Sequence, residues 1–492
     1  MVPASFDQSC DGDPRAEERL LARWLALSEA HGHGLFIGLG PECAVFAPPQ
    51  HGALVLGPPR CGKTASIMVP NVLKNCGPVV AASTKPDLLH LTAPARSRLG
   101  DCLLYDPSGA VAVPAGVRRV AWSPLLSAAS WSGALSVAES MVLAARPGSN
   151  RGDAAHWSER AAALLAVAFH AGALGTTGFA GVLEAIDRRQ ADDFRNLLAR
   201  HEANAALSLL AGITGTDARE QSGIWSTAAG VLAGYRTQAA IDSTEGTALD
   251  SAEFVAETST LYICAGSDEQ RHLAPLVAGV LRDLRRSAYH RAAELSPGAT
   301  HVGPPLLLAL DEVANIAPLH DLPTVVAEGG SQGVVTLACL QDLSQAGARW
   351  GREADGFLSL FQAKVVFPGI GDVRTLETIS KLGGEIDIRH TSETRSSPWA
   401  GLLGQGGHNS KTTSTRRDRR FPVEVIAQGN AGVILHLDGV RPQWLRSTPW
   451  FSNPELAAMV DPRRTAGPEP VLSHDAGHSG LRPPSRLWER LR

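Results

Sequence analysis

The chain has little that would staple it together or coat it with charge. Its seven cysteines are scattered singly, at 10, 43, 61, 76, 102, 264 and 339, with no CxxC pair and no His-rich ligand spacing. That pattern excludes a disulfide framework and a zinc site and fits a reducing cytosol. An excess of one sign of charge is also missing: 45 basic and 49 acidic residues leave a net charge of −4. Whole-chain charge thereby gives no support to a protein that coats nucleic acid, and any DNA contact has to rest on a local patch. The opening "MVPASFDQSCDGDPRAEERLLARWLALSEAHG" has no apolar h-region and no cleavage site, so it does not read as a signal peptide. Leu20, Leu21, Trp24 and Leu25 fall at helical spacing there and read as a docking helix. A single stretch, Ala161 to Leu183, is uncharged and long enough to span a bilayer. It is built largely of Ala and Gly, holds His170 and breaks at "GTTG", so it reads as two buried helices joined by a turn.

What is present is apolar material for two or three domains: 492 residues, 44% hydrophobic and 19% charged. The most informative stretch is "ALVLGPPRCGKTASIMVP", from Ala53 to Pro70. Gly57, Gly62, Lys63 and Thr64 satisfy G-x-x-x-x-G-K-[ST], with an apolar strand before the loop and a helix-compatible segment after it. That context is what phosphate binding needs, because glycine lets backbone N–H groups curl toward an anion beside a helix N-terminus. The loop Gly57, Pro58, Pro59, Arg60, Cys61, Gly62, Lys63, Thr64 is therefore expected to hold ATP. Lys63 would reach the β/γ-phosphates and Thr64 would place its hydroxyl on Mg²⁺. Cys61, beside Lys63 and inward-pointing N–H groups, reads in two ways: an activated thiol, or a small residue tolerated in the loop with its side chain turned into the fold.

"PPLLLALDEVANIAP" ends an apolar run in Asp311-Glu312, acids at the tip of a buried strand, where open α/β sheets bind ligands. Asp311 is expected on hydrated Mg²⁺, and Glu312 as the group that orients and activates water. "GVVTLACLQDLSQ" is a third strand, and the amide of Gln341 at its tip can bond a γ-phosphate oxygen. About 250 residues separate Lys63 from Asp311. They supply the strands "GPVVAAS" and "DCLLYDP", then an Ala/Leu-rich helical stretch, then the strand "STLYICAG". The expected class is α/β: a RecA-like parallel-sheet nucleotide-binding domain with an inserted all-α domain. The boundaries drawn are an N-terminal segment 1–50, a first nucleotide-binding part 51–121, the insertion 122–247, a second part 248–461 and a disordered tail 462–492. Within the second part, 390–420 is Gly/Ser/Thr/Arg-rich and reads as a mobile loop carrying a basic cluster at Arg416, Arg417, Arg419 and Arg420.

The ordered series "ALVLGPPRCGKTASIMVPNVL", "WSPL", "HWSERAAALL", "LALDEVANIAPLHDLP", "GVVTLACLQDLSQ" and "GVRPQWLRSTPWF" resembles the TraG/TraD-like coupling proteins of conjugative and type IV secretion systems. These lie within the FtsK/HerA group of P-loop DNA motors. The resemblance spans roughly residues 50 to 452. It implies a homo-hexameric, DNA-stimulated P-loop ATPase that passes single- or double-stranded DNA, with relaxosome or effector cargo proteins, to channel components. It also implies a helical domain, including "HWSERA", that recognises cargo. Family members usually carry N-terminal transmembrane helices, and none is read here, so the expected place is the cytoplasm or the inner face of the cell membrane. Relatives often hold an arginine shortly before the third strand; here that stretch is "AEGGSQG", and Arg349 and Arg374 are the nearest candidates for a trans-acting cation. Two other readings stay open: a nucleotide-binding cargo adaptor with little ATPase activity, and a cytosolic FtsK/HerA-type motor.

Overall fold

The computed structural model describes residues 26–461, apart from 42, 147–152, 177, 267–269, 296–303, 318, 395–409, 430–431 and 439–441. The helix expected around Leu20–Leu25 and the tail 462–492 lie outside the described residues.

Among the described residues the chain forms fourteen strands, and the short apolar runs read as strands in the sequence are among them. In chain order these are β1 (Phe36–Leu39), β2 (Ala44–Phe46), β3 (Ala53–Leu56), β4 (Val79–Ser83), β5 (Cys102–Tyr105), β6 (Val117–Arg119) and β7 (Thr260–Cys264). They continue with β8 (Leu306–Leu310), β9 (Val334–Leu340), β10 (Ala363–Val366), β11 (Glu385–Thr394), β12 (Ser410–Arg419), β13 (Val433–Leu437) and β14 (Gln443–Arg446). Twelve of them make one sheet in the order β2-β1-β14-β13-β10-β3-β9-β8-β4-β7-β5-β6. From β10 to β6 every neighbouring pair is parallel. The remaining strands extend the sheet antiparallel beyond β10. Because successive side chains point to opposite faces, Ala53 and Val55 enter one core while Leu54 and Leu56 enter the other. Burial on both faces is why these strands are almost continuously apolar.

Between β6 and β7 the described elements are helical. The chain leaves and returns at Ala121 and Ala248, which pair as an isolated parallel bridge. Five helices matter below: α1 (Val69–Lys74), α2 (Trp131–Ala145), α3 (Asp153–Leu174), α4 (Ala218–Val231) and α5 (Gln270–Glu294). The uncharged stretch at 161–183 is indeed split, between α3 and a helix over Gly178–Asp187. Among the described residues no helix is long and apolar enough to cross a membrane.

The "WSPL" tetrad anchors this helical segment. Trp122 is buried against Gly279 of α5, where a Cβ would stand 2.2 Å from the indole. Its Nε1–H donates to the buried Asp283 carboxylate at 2.8 Å, and Ser127 and Arg282 bond the same carboxylate. The "HWSER" segment is also structural. Trp157 covers Gly223 of α4, and His156 and Arg160 both approach Glu220, at 3.4 and 3.5 Å.

A buried lysine ties α1 to the N-terminal hairpin β1–β2. Lys74 Nζ donates to Gly34 O at 2.7 Å and lies 5.5 Å from the Phe46 ring centroid. Burial pulls its pKa down to about 7 from the ordinary value near 10.5. Between these two values the unfolded chain binds the proton that the folded one releases, so this group makes stability rise with pH over that window. Below about pH 7 the full cost of the buried charge is present. Lys74→Met should therefore raise the melting temperature relative to wild type most at pH 6, with the advantage shrinking toward pH 10. Thermal melts of both proteins across that range check it, and a pH-independent difference would contradict it.

One expectation is corrected. Instead of a mobile loop over 390–420, the flanks form a two-stranded antiparallel sheet, β11–β12, with Glu385 opposite Arg419 and Thr394 opposite Ser410. "HTSET" and "KTTST" are rich in β-branched threonine, which favours an extended backbone. Residues 395–409 lie outside the described residues. The basic cluster is partly neutralised there, since Arg417 meets Asp387 at 3.4 Å and Arg419 meets Glu385 at 3.3 Å.

Candidate nucleotide-binding site

The site lies at the C-terminal tips of three adjacent parallel strands, β3, β9 and β8, together with β4. β3 runs directly into the loop 57–62. Gly57 N–H donates to Leu340 O at 3.2 Å, which fixes the start of the loop against the tip of β9. Two features require glycine. A Cβ at Gly57 would meet Cys61 Sγ and Phe367 Cβ at 2.7 Å, and Gly62 has φ +101°. Arg60 also has a left-handed backbone, φ 64°. The helix that follows opens with a π turn over Thr64–Met68, in which Val69 N–H donates to Thr64 O, before becoming α1. Pro70 explains the wide turn: its ring would clash with the carbonyl four residues earlier in a regular helix, and it has no N–H to donate.

Lys63 is buried, and its ammonium donates to Gly57 O at 2.5 Å and Pro58 O at 2.8 Å. The loop thus wraps its own cation. Thr64 Oγ1 donates to Asp311 Oδ2 at 3.0 Å, joining positions 247 residues apart in the chain. Asp311 N–H donates to Ala82 O at 2.9 Å, so the register of β8 on β4 aims this carboxylate. Ser83, at the tip of β4, donates its hydroxyl to the same Oδ2 at 3.4 Å. Burial raises the Asp311 pKa; bonds from Thr64 and Ser83 and the charge of Lys63 pull the other way. Thr64, Asp311 and Ser83 form a set of hard oxygens around one carboxylate, a donor chemistry that suits Mg²⁺.

Glu312 follows in a left-handed conformation, φ 57° and ψ 53°, unusual for a residue with a side chain. Strain of this kind, about 1–3 kcal/mol, persists where the surrounding structure over-determines it. Asn315 Nδ2 donates to Glu312 Oε2 at 3.4 Å and steadies the carboxylate. Gln341 stands at the tip of β9 between the loop and the acids, its N–H donating to Gln345 Oε1 at 3.0 Å.

The structure therefore brings Lys63, Thr64, Asp311, Glu312 and Gln341 to one rim of the sheet. Arg349 is half-buried, and its guanidinium donates to Ala144 O at 2.8 Å. Arg374 is exposed in the first turn of the helix Val373–Leu382. Of the two readings of Cys61, the small residue tolerated in the loop is the one the structure favours. Burial pushes its thiol pKa up, and the charge of Lys63, with Nζ 3.9 Å from Sγ, only partly offsets that. Sequence reasoning gave Ser83 no role. Its signal is positional, a hydroxyl residue ending the strand beside the one that carries the two acids.

Residues 305–428 match the family model described as the TraM recognition site of TraD and TraG. The fold matches that of the bacterial conjugative coupling protein TrwB. Against unbound TrwBdeltaN70 the TM-score is 0.64 at 17% identity, over 87% of this chain and 91% of that one. Against TrwB with the non-hydrolysable GTP analogue GDPNP it is 0.61 at 19% identity, covering 82% and 88%. Against TrwB with ADP and Mg²⁺ it is 0.59 at 18%, covering 82% and 85%. No curated protein sequence matches. The resemblance to TraG/TraD-like coupling proteins holds in family model and in fold, as does the α/β class with its all-α insertion.

Proposed function

We propose that this chain is a P-loop ATPase of the conjugative coupling type, which uses ATP to pass DNA or nucleoprotein cargo to a secretion channel. The observation that carries it is the Thr64–Asp311 hydrogen bond, 3.0 Å long, beside a buried Lys63 and a strained Glu312 on the tips of a parallel sheet. Lys63 binds the β/γ-phosphates by trading two backbone carbonyls for phosphate oxygens. Thr64 and Asp311 hold Mg²⁺, which when bound neutralises charge on the phosphates. Glu312 takes a proton from the attacking water, and Asn315 keeps its carboxylate aimed. Gln341 senses the γ-phosphate at the strand tip. The adaptor reading is less favoured, because a module that only holds nucleotide has no use for the strained acid at 312. The resemblance to coupling proteins implies the remaining parts of the proposal: a homo-hexamer, relaxosome or effector proteins as cargo, and a place at the cytoplasmic face of the membrane. The β11–β12 ribbon lies inside the segment matched to the TraM recognition model and is the surface we assign to a cargo partner.

Nucleotide titrations with and without EDTA test the metal arm. Wild type should bind ADP more tightly with Mg²⁺, whereas Asp311→Asn should bind equally in both conditions. An Asp311→Asn protein that keeps the full Mg²⁺ dependence would remove Asp311 from the site.

A further inference from the structure

Away from the nucleotide rim, α5 and α2 enclose an open groove of about 510 Å³ whose lining includes no carboxylate. Arg282, Arg285, Arg286, Tyr289 and His290 line it from α5, and Ser136 from α2. Spacings of three and four residues put the α5 side chains on one helical face, and from 282 to 293 that face runs about 16 Å. The whole chain is slightly acidic, so this stripe is a local feature that composition hides.

The groove is built. Arg282 is held by Ser136 Oγ at 2.9 Å and by Asp283 at 2.8 Å. Arg285 is held by Asp321 at 2.5 Å and lies 5.9 Å from the Tyr289 ring centroid. Arg286 is exposed and, among the described residues, has neither a hydrogen-bond nor an ion-pair partner. Arg417 and Arg419 of the ribbon, like Arg282 and Arg285, are each paired with an acid, so Arg286 is the groove's free guanidinium. Two fixed guanidiniums, one unpaired guanidinium, an imidazole and a hydroxyl match the chemistry that binds phosphates along a strand. An aromatic ring among them supplies a face on which an unpaired base can stack. A length of about 16 Å suits several consecutive phosphates rather than one free anion.

We infer that the α2–α5 groove is a binding track for single-stranded nucleic acid, contacted by Arg286, His290 and Tyr289 and shaped by Arg282 and Arg285. This rests on the DNA-handling part of the proposed function and names the surface that performs it.

Fluorescence anisotropy of the full chain with a labelled 20-nucleotide oligo-dT, across a salt series, tests it. Arg286→Gln should weaken binding about five- to tenfold and flatten the log K against log salt slope by roughly 0.7. Arg286→Gln/His290→Gln should weaken it further, and Arg416→Gln should leave both quantities unchanged. Affinity for fluorescent ADP should be the same in every variant, which reports an intact fold. If wild type binds the oligonucleotide and Arg286→Gln matches it in affinity and slope, the groove assignment is wrong while the DNA reading stands. If wild type binds no single strand even at the lowest salt, both fall.

Discussion

Replacing Glu312 with glutamine should leave ATP affinity within about twofold of wild type while cutting turnover by roughly 10²–10⁴, the range a positioned general base supplies. The substitution keeps shape, volume and the left-handed backbone, and changes only the ability to accept a proton. Asn315 can still hold one side-chain oxygen at position 312. Equilibrium titration and single-turnover phosphate release, run on the same preparations, separate the two quantities. A variant that loses ATP affinity in proportion to its rate would make Glu312 a binding residue.

Lys63→Ala should fail in the opposite way. The ammonium sits buried, donating to the carbonyls of Gly57 and Pro58. On the proposed reading it should exchange those for phosphate oxygens in charge-assisted bonds when nucleotide binds. Losing them should cost about 3 kcal/mol, roughly a hundredfold in Kd for ATP. The loop itself should keep its shape, because Gly57, Gly62 and the helix start are untouched. Circular dichroism should be unchanged while binding of a fluorescent ATP analogue falls. Equal affinity in wild type and Lys63→Ala would remove the loop from nucleotide binding.

These two residues were legible because chemistry and local structure coincide in short stretches. A strand of four apolar residues, a loop that only glycine can turn, and a lysine before a helix are all local. The acids at 311 and 312 were legible for the same reason, as the polar end of a run buried on both faces. What could not be read was anything set by register between distant strands. Ser83 joins the site because β4 pairs with β8, with Ala82 opposite Leu310, and no local pattern announces that pairing. The β11–β12 ribbon was misread because its threonines were counted as polar linker residues rather than as β-branched ones. The two readings of Cys61 could not be separated because the cation beside it is visible in sequence and the desolvation around it is not. Arg349 was nominated by position alone, and packing binds it to the Ala144 carbonyl. The α5 stripe was not legible because only packing against α2 turns that helix face into a groove.

The account stands or falls on whether this site turns over ATP in the service of a DNA strand. The most direct measurement is steady-state phosphate release from MgATP by the full chain, with and without single-stranded DNA, beside Glu312→Gln under the same conditions. Wild type should release phosphate well above the Glu312→Gln level and release it faster when DNA is added. Wild-type release no greater than that of Glu312→Gln, with DNA present, would contradict the ATPase motor.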